Sequence, residues 1–245
     1  MRPPPRLSVT DHRLLAEFRR LFEGTKYVHR RSNLGDFVAM HLYEDLVAIK
    51  KSDRYILSVE NMSRVLNVQN RRKGIEARRG DGTFGELIVG EEPVIDPGYK
   101  VARGPVATIE IGVEVKVLAK AMIKQIDRVK SDLANQVLNF KHRAGSSKPI
   151  CVGIVGINYA DVATGYEGDR AYRTDGGKHK HPIQEAEHAR QRLAPIHDLY
   201  DELVILGFKA RNEEPYEFEW VNEKETRLDY GAALIRISNE YEKRF

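Results

Sequence analysis

From Ile109 to Val117 apolar and polar residues alternate without a break. Ile109, Ile111, Val113, Val115 and Val117 share one face, and Glu110, Gly112, Glu114 and Lys116 share the other. The apolar face is β-branched throughout, so residues 107–118 are predicted to form a strand with one buried face. The period then changes. Met122, Ile126, Val129, Leu133, Val137 and Phe140 recur every three or four positions, the stripe of an amphipathic helix beginning near Ala119. Residues 149–157 are apolar on both faces, as expected of a strand buried inside a sheet.

The flanks follow the same logic. Three N-terminal helices are predicted, at 10–24, 34–51 and 58–73, the first capped by Thr10 or Asp11 and stopped by Gly24. Short apolar pieces at 87–89, 93–95 and 99–102 read as strands or strand edges, divided by the turns Pro97-Gly98 and Arg103-Gly-Pro105. Residues 158–182 form a long polar loop, and such loops inside compact domains are usually functional. A helical region at 183–206, interrupted at Pro195, precedes two alternating segments, 216–221 and 231–237, read as half-exposed strands extending the sheet. Gly80-Asp-Gly-Thr-Phe-Gly85 matches G-x-G-x-x-G, but no strand is read before it. It is taken as a tight turn near nucleic acid rather than a dinucleotide site.

Composition narrows the chemistry. The chain has 245 residues, 41% of them hydrophobic, enough for one large domain or a core with a helical annex. Lys and Arg exceed Asp and Glu by 40 to 36, a balance compatible with a nucleic-acid partner. The single cysteine, Cys151, lies in the buried apolar run; it excludes an intramolecular disulfide and a cysteine-type zinc site, and it fits a reducing cytoplasm. No apolar stretch is long enough to span a bilayer and no secretory signal is read, so no membrane partner is expected. His179 and His181 are too few and too closely spaced for a convincing metal-ligand set.

The candidate site comes from strand geometry. Glu110 and Glu114 share a face, but at ~3.3 Å per residue their Cα atoms lie roughly 13 Å apart, too far to share one ion easily. Glu114 and Lys116, roughly 6.6 Å apart, suit one reaction centre. A second acidic group must then come from a neighbouring strand or loop, and Asp96, ending the step Pro93-Val-Ile-Asp96, is the best placed. Glu110 is left as an accessory group or a paired strand residue.

Asp96, Glu114 and Lys116 together resemble the D…E-x-K signature of the PD-(D/E)xK nucleases, the superfamily of type II restriction endonucleases. The resemblance covers residues 80–160. It implies a restriction-endonuclease-like α/β (α+β) fold, with a mixed central sheet flanked by helices. Residues 1–79 would be a helical, DNA-contacting region and 80–245 the nuclease core. It further implies Mg²⁺ held by Asp96 and Glu114, with Lys116 positioning the attacking water. In this family a further glutamate often comes from a preceding helix, for which Glu76 and Glu86 are both candidates. Ile95 stands where the family pattern has proline, with Pro97 following, which leaves the first acidic ligand open. Gln125, on the next helix, is a candidate phosphate contact. Arg71, Arg72, Lys73, Arg78 and Arg79, with Lys178 and Lys180 of the long loop, are expected to meet double-stranded DNA. The function so implied is a Mg²⁺-dependent endodeoxyribonuclease of restriction type, cytoplasmic and compatible with a homodimer. The alternatives are a non-catalytic nucleic-acid-binding module, or a regulatory or assembly protein, on the same fold.

Overall fold

A computed structural model describes residues 12–27, 34–67, 80–143, 148–167, 170–174 and 181–245. Its elements run α1 (Arg13–Arg20), α2 (Leu34–Ile49), α3 (Asp53–Glu60), β1 (Arg64–Asn67), β2 (Gly82–Glu86), β3 (Ile111–Leu118), α4 (Met122–Arg143), β4 (Ile150–Asn158), β5 (Ala163–Glu167), β6 (Arg170–Thr174), α5 (Pro182–Leu193), a 3-10 turn (Ala194–Leu199), β7 (Glu202–Ala210), β8 (Phe218–Trp220) and α6 (Glu223–Arg244). Six strands form one mixed sheet in the order β1-β2-β3-β4-β7-β8. The middle strands β3, β4 and β7 are parallel, and the outer ones are antiparallel to their neighbours. The fold is mixed α/β, with helices on both faces of the sheet.

Alternation along the strands divides the core in two. Ile111, Val113 and Val115 of β3, with Ile150, Val152 and Ile154 of β4, pack beneath α1, α2, α3 and α6. Leu118 of β3, with Cys151, Val155 and Ile157 of β4, packs beneath α4, α5 and the 3-10 turn. Every residue of β4 is buried, as its two-sided apolar sequence requires. The N-terminal helices are not an annex. Leu14, Phe18, Leu42 and Tyr43 lie in the same cluster as the sheet, and the Tyr43 hydroxyl reaches the carbonyls of Gly82 and Ile111 at 3.1 and 3.2 Å.

Several expected elements take another form. The third helix begins at Asp53, capped by Ser52, whose side chain accepts the Tyr55 N–H, and it ends at Glu60 with Asn61 as its C-cap. Val65 and Leu66, assigned to that helix from their apolar spacing, belong to β1 instead. The run Leu203–Leu206, read as the end of a helix, is part of the parallel strand β7. Residues 231–237, read as a strand, lie within α6. There Asn222 caps the helix by accepting the Glu225 N–H, and Tyr230, Ala233, Leu234, Ile237 and Tyr241 form its buried stripe. The pieces between 87 and 106 make only isolated bridges, and two of the three involve Arg103, to Leu66 and to Val94. Within the polar loop, β5 and β6 pair as a separate two-stranded sheet. Among the described residues no helix is long and apolar enough to cross a membrane.

The expected strand 107–118 begins at Ile111, and its alternation inverts just before that point. Ile109 packs beneath α4, whereas Ile111 packs on the opposite face with α2 and α6. Glu110 sits at the inversion. It therefore does not share a face with Glu114, although the sequence alternates through both.

Candidate active site

Glu114 and Lys116 lie at the middle of β3, on the face covered by α4. One glycine makes the covering close. The Phe140 ring of α4 sits directly on Gly112, where a Cβ would stand 2.7 Å from it, so a side chain there would push the helix off the strand. Opposite Glu114, the register places Gly153 of β4. The strand therefore carries its carboxylate into a narrow space roofed by a helix.

The second carboxylate there is Asp81, not Asp96. Gly82 pairs with Val113, so β2 ends one residue short of Glu114 and Asp81 occupies the next position. With β2 ended, the Val115 N–H has no strand to pair with, and the Asp81 carboxylate accepts it at 2.7 Å. The side chain thus replaces the missing ladder carbonyl. Space for it comes from α2, whose first turn places Gly35 so close that any side chain there would collide with the Asp81 carboxylate.

The electrostatics follow from this crowding. Burial, then the charge of Asp81, pushes the Glu114 carboxyl up to about 7, against the pull of Lys116 and with a smaller push from Asp132. The Lys116 ammonium donates to Glu114 Oε1 at 2.5 Å. Burial alone would lower the lysine pKa, but the bond to Glu114, with the charges of Asp81 and Asp132, holds it above its ordinary value. The Glu114 side chain is 9% exposed and that of Lys116 26%, so the ammonium forms the solvent-facing rim of the pair.

The remaining candidates are elsewhere. Asp96 pairs with Arg103 at 2.6 Å, in the segment that bridges to Leu66 along the outer edge of β1, two strands away from β3. Its expected partnership with Glu114 fails because residues 87–106 wrap the sheet edge and form no strand beside β3. Glu110 accepts from Arg64 at 2.8 Å and from the Tyr241 hydroxyl at 2.5 Å, and Glu86 pairs with the same arginine at 3.0 Å. Both glutamates thus belong to a network tying β1 to α6. The Gln125 amide donates to the Lys120 carbonyl at 2.8 Å, closing the turn into α4. Glu76, Arg71, Arg72, Lys73, Arg78, Arg79, Lys178 and Lys180 lie outside the described residues.

The carboxylate beside Glu114 that sequence reasoning missed is Asp81. Its signal was present: an aspartate opening a short stretch, Thr83-Phe84, ahead of the E-x-K strand. The surrounding glycines made the segment read as a turn.

The donor set fits a hard divalent cation of a particular kind. The charge of Asp81 raises the cost of ionising Glu114, and a cation beside both carboxylates would relieve that cost. Among the described residues no three or more His, Cys, Asp or Glu side chains gather as a metal cage. Mg²⁺ does not need one, since it commonly takes one or two carboxylates and fills its octahedron with water and substrate phosphate oxygens. No family model, curated protein or solved structure matches this chain.

Proposed function

We propose that the protein is a Mg²⁺-dependent endodeoxyribonuclease, similar in its site to the type II restriction endonucleases. The observation that carries the reading is the convergence of Asp81, just ahead of β2, with Glu114 and Lys116 of β3, within a D…E-x-K spacing. Asp81 replaces Asp96 as the first acidic ligand.

Bound Mg²⁺ would supply positive charge beside the scissile phosphate and lower the pKa of an attacking water. Asp81 and Glu114 would hold it, each through a carboxylate oxygen. The Val115 N–H fixes the Asp81 carboxylate in the strand plane, so its orientation is set before any ligand arrives. Lys116, at the open rim, keeps a full positive charge at neutral pH. It can orient a water toward phosphorus or offset the negative charge that grows on the phosphate oxygens. The α4 roof excludes bulk water from the inner side and strengthens each of these interactions.

DNA as substrate is supported by charge and connectivity. Arg78 and Arg79 directly precede Gly80 and Asp81 in the chain, and Lys124 and Arg128 are exposed on α4, the roofing helix. Supercoiled and linear DNA incubated with Mg²⁺ or with EDTA, beside the Lys116→Ala variant, tests the reading. Cleavage in Mg²⁺ alone and absent from the variant is expected. Intact DNA under every condition, with salt-sensitive binding retained, would leave a non-catalytic DNA-binding module.

A further inference from the structure

The sheet and its roof are in step. β3 and β4 are parallel neighbours, so α4, which connects them, runs antiparallel to β3. Four helical residues rise ~6.0 Å, and two strand residues ~6.6 Å. Phe140 sits on Gly112. One step along each element puts Gln136 level with Glu114, and a second puts Asp132 level with Lys116. Each four-residue step also rotates the helix by ~40°, so Asp132 lies ~80° around from Phe140. Gln136 is accordingly buried, at 8% exposure, while Asp132 stands at the exposed border of the helix. Lys116 is likewise at the rim. The influence of Asp132 on both Glu114 and Lys116 agrees with this placement.

This matters because Lys116 occupies a Glu114 oxygen at 2.5 Å. On the reading above, that carboxylate must also hold a cation. An ammonium and a divalent cation cannot both sit closely on Glu114 without strong repulsion. A second place for the ammonium, at the same level and on the solvent side, would relieve that repulsion.

We propose that Lys116 is the internal counter-ion of the Asp81–Glu114 pair when no cation is bound, and that Asp132 receives its ammonium when a divalent cation enters. Asp132 is thus a positioning residue. It acts through Lys116, drawing the ammonium off the metal's ligand and holding it at the rim of the site, where the proposed function requires it. The inference rests on that function's metal site.

The test is a double-mutant cycle on the full-length chain, read by calorimetric titration with Mn²⁺ in the absence of DNA. Lys116→Met is expected to bind Mn²⁺ more tightly than wild type, because the competing ammonium is gone. Asp132→Asn is expected to weaken binding roughly tenfold in the wild-type background and to have little effect in the Lys116→Met background. An equal loss in both backgrounds would overturn the proposal, since Asp132 would then act on the metal by its own charge. Wild type that takes up no Mn²⁺ would overturn the metal site itself, and the exchange with it. Binding by wild type that Asp81→Asn abolishes keeps the site standing, so the two failures are distinguishable. Thermal unfolding in EDTA checks that every variant is folded.

Discussion

Asp81 and Val115 are joined by a 2.7 Å hydrogen bond from the backbone N–H of one to the carboxylate of the other, at the point where β2 stops and β3 continues. That bond holds the Asp81 carboxylate at the position next to Glu114. It is a backbone contact, so it depends on where the strand ends and not on the identity of residue 115. A first prediction distinguishes the two aspartates. Asp81→Asn should lower Mg²⁺-dependent cleavage by roughly a hundredfold or more, while Asp96→Asn should keep it. Cleavage assays over a Mg²⁺ series decide this, and the opposite ranking would return the ligand role to Asp96.

Glu114 should make stability depend on pH in a definite direction. With its folded pKa raised to about 7, the folded chain keeps a proton between the ordinary glutamate range and 7 that the unfolded chain has released. Stability contributed by this group therefore falls as pH rises through that window and is level above it. Glu114→Gln has no such term. In EDTA, its stability relative to wild type should rise between those pH values by on the order of 1–3 kcal/mol. Urea unfolding curves for the two proteins that stay parallel from pH 5 to 7.5 would refute the shift.

Glu110 should prove structural. Its carboxylate takes Arg64 and the Tyr241 hydroxyl, joining β1, the start of β3 and α6. Glu110→Ala leaves the partly buried Arg64 without its closest partner and should cost about 2–4 kcal/mol. Mn²⁺ affinity, measured at a temperature where the variant is folded, should be unchanged. A loss of affinity would bring Glu110 back to the metal.

Asp45 holds α1 in place from a distance. The cap residue of α1, His12, makes no side-chain cap bond. Asp45 of α2 instead accepts the N–H groups of Arg13 and Leu14 at 2.7 and 2.9 Å, and the Tyr230 hydroxyl of α6 at 2.9 Å. Burial nevertheless raises its carboxyl to about 6. Asp45→Ala removes three bonds at once and should destabilise the chain by roughly 2–4 kcal/mol, seen as a lower urea midpoint. Asp45→Asn, which keeps an acceptor, should cost less.

Gly112 sets the height of the roof. Gly112→Ala puts a methyl group against the Phe140 ring and should cost about 1–3 kcal/mol in overpacking. The same displacement lifts α4 from Glu114, so metal affinity should fall along with the melting temperature. Pairing it with Phe140→Leu should recover part of both, because the smaller side chain makes room.

Much of the central architecture was legible in local patterns. β3, α4 and β4 each bury a face that its own period declares, because burial selects residue type at every second or every third and fourth position. For the same reason Glu114 and Lys116 could be placed together on one strand face without a structure. Local pattern failed where partners decide conformation. Gly231–Ile237 alternates well enough to pass for a strand, yet the Asn222 cap and the sheet beneath it make it helical. Leu203–Ile205 is equally compatible with a helix, and becomes β7 because β4 offers it a parallel edge. The alternation through Ile109, Glu110 and Ile111 is unbroken in sequence, but the backbone inverts there and sends Glu110 to Arg64. The choice of Asp81 over Asp96 belongs to the same class. The spacing along the strand determined only that any carboxylate beside Glu114 and Lys116 has to come from outside their strand. Only the tertiary structure decided which one, because strand pairing brings together residues far apart in the chain, and register is set by the packing of both faces and not by either strand alone.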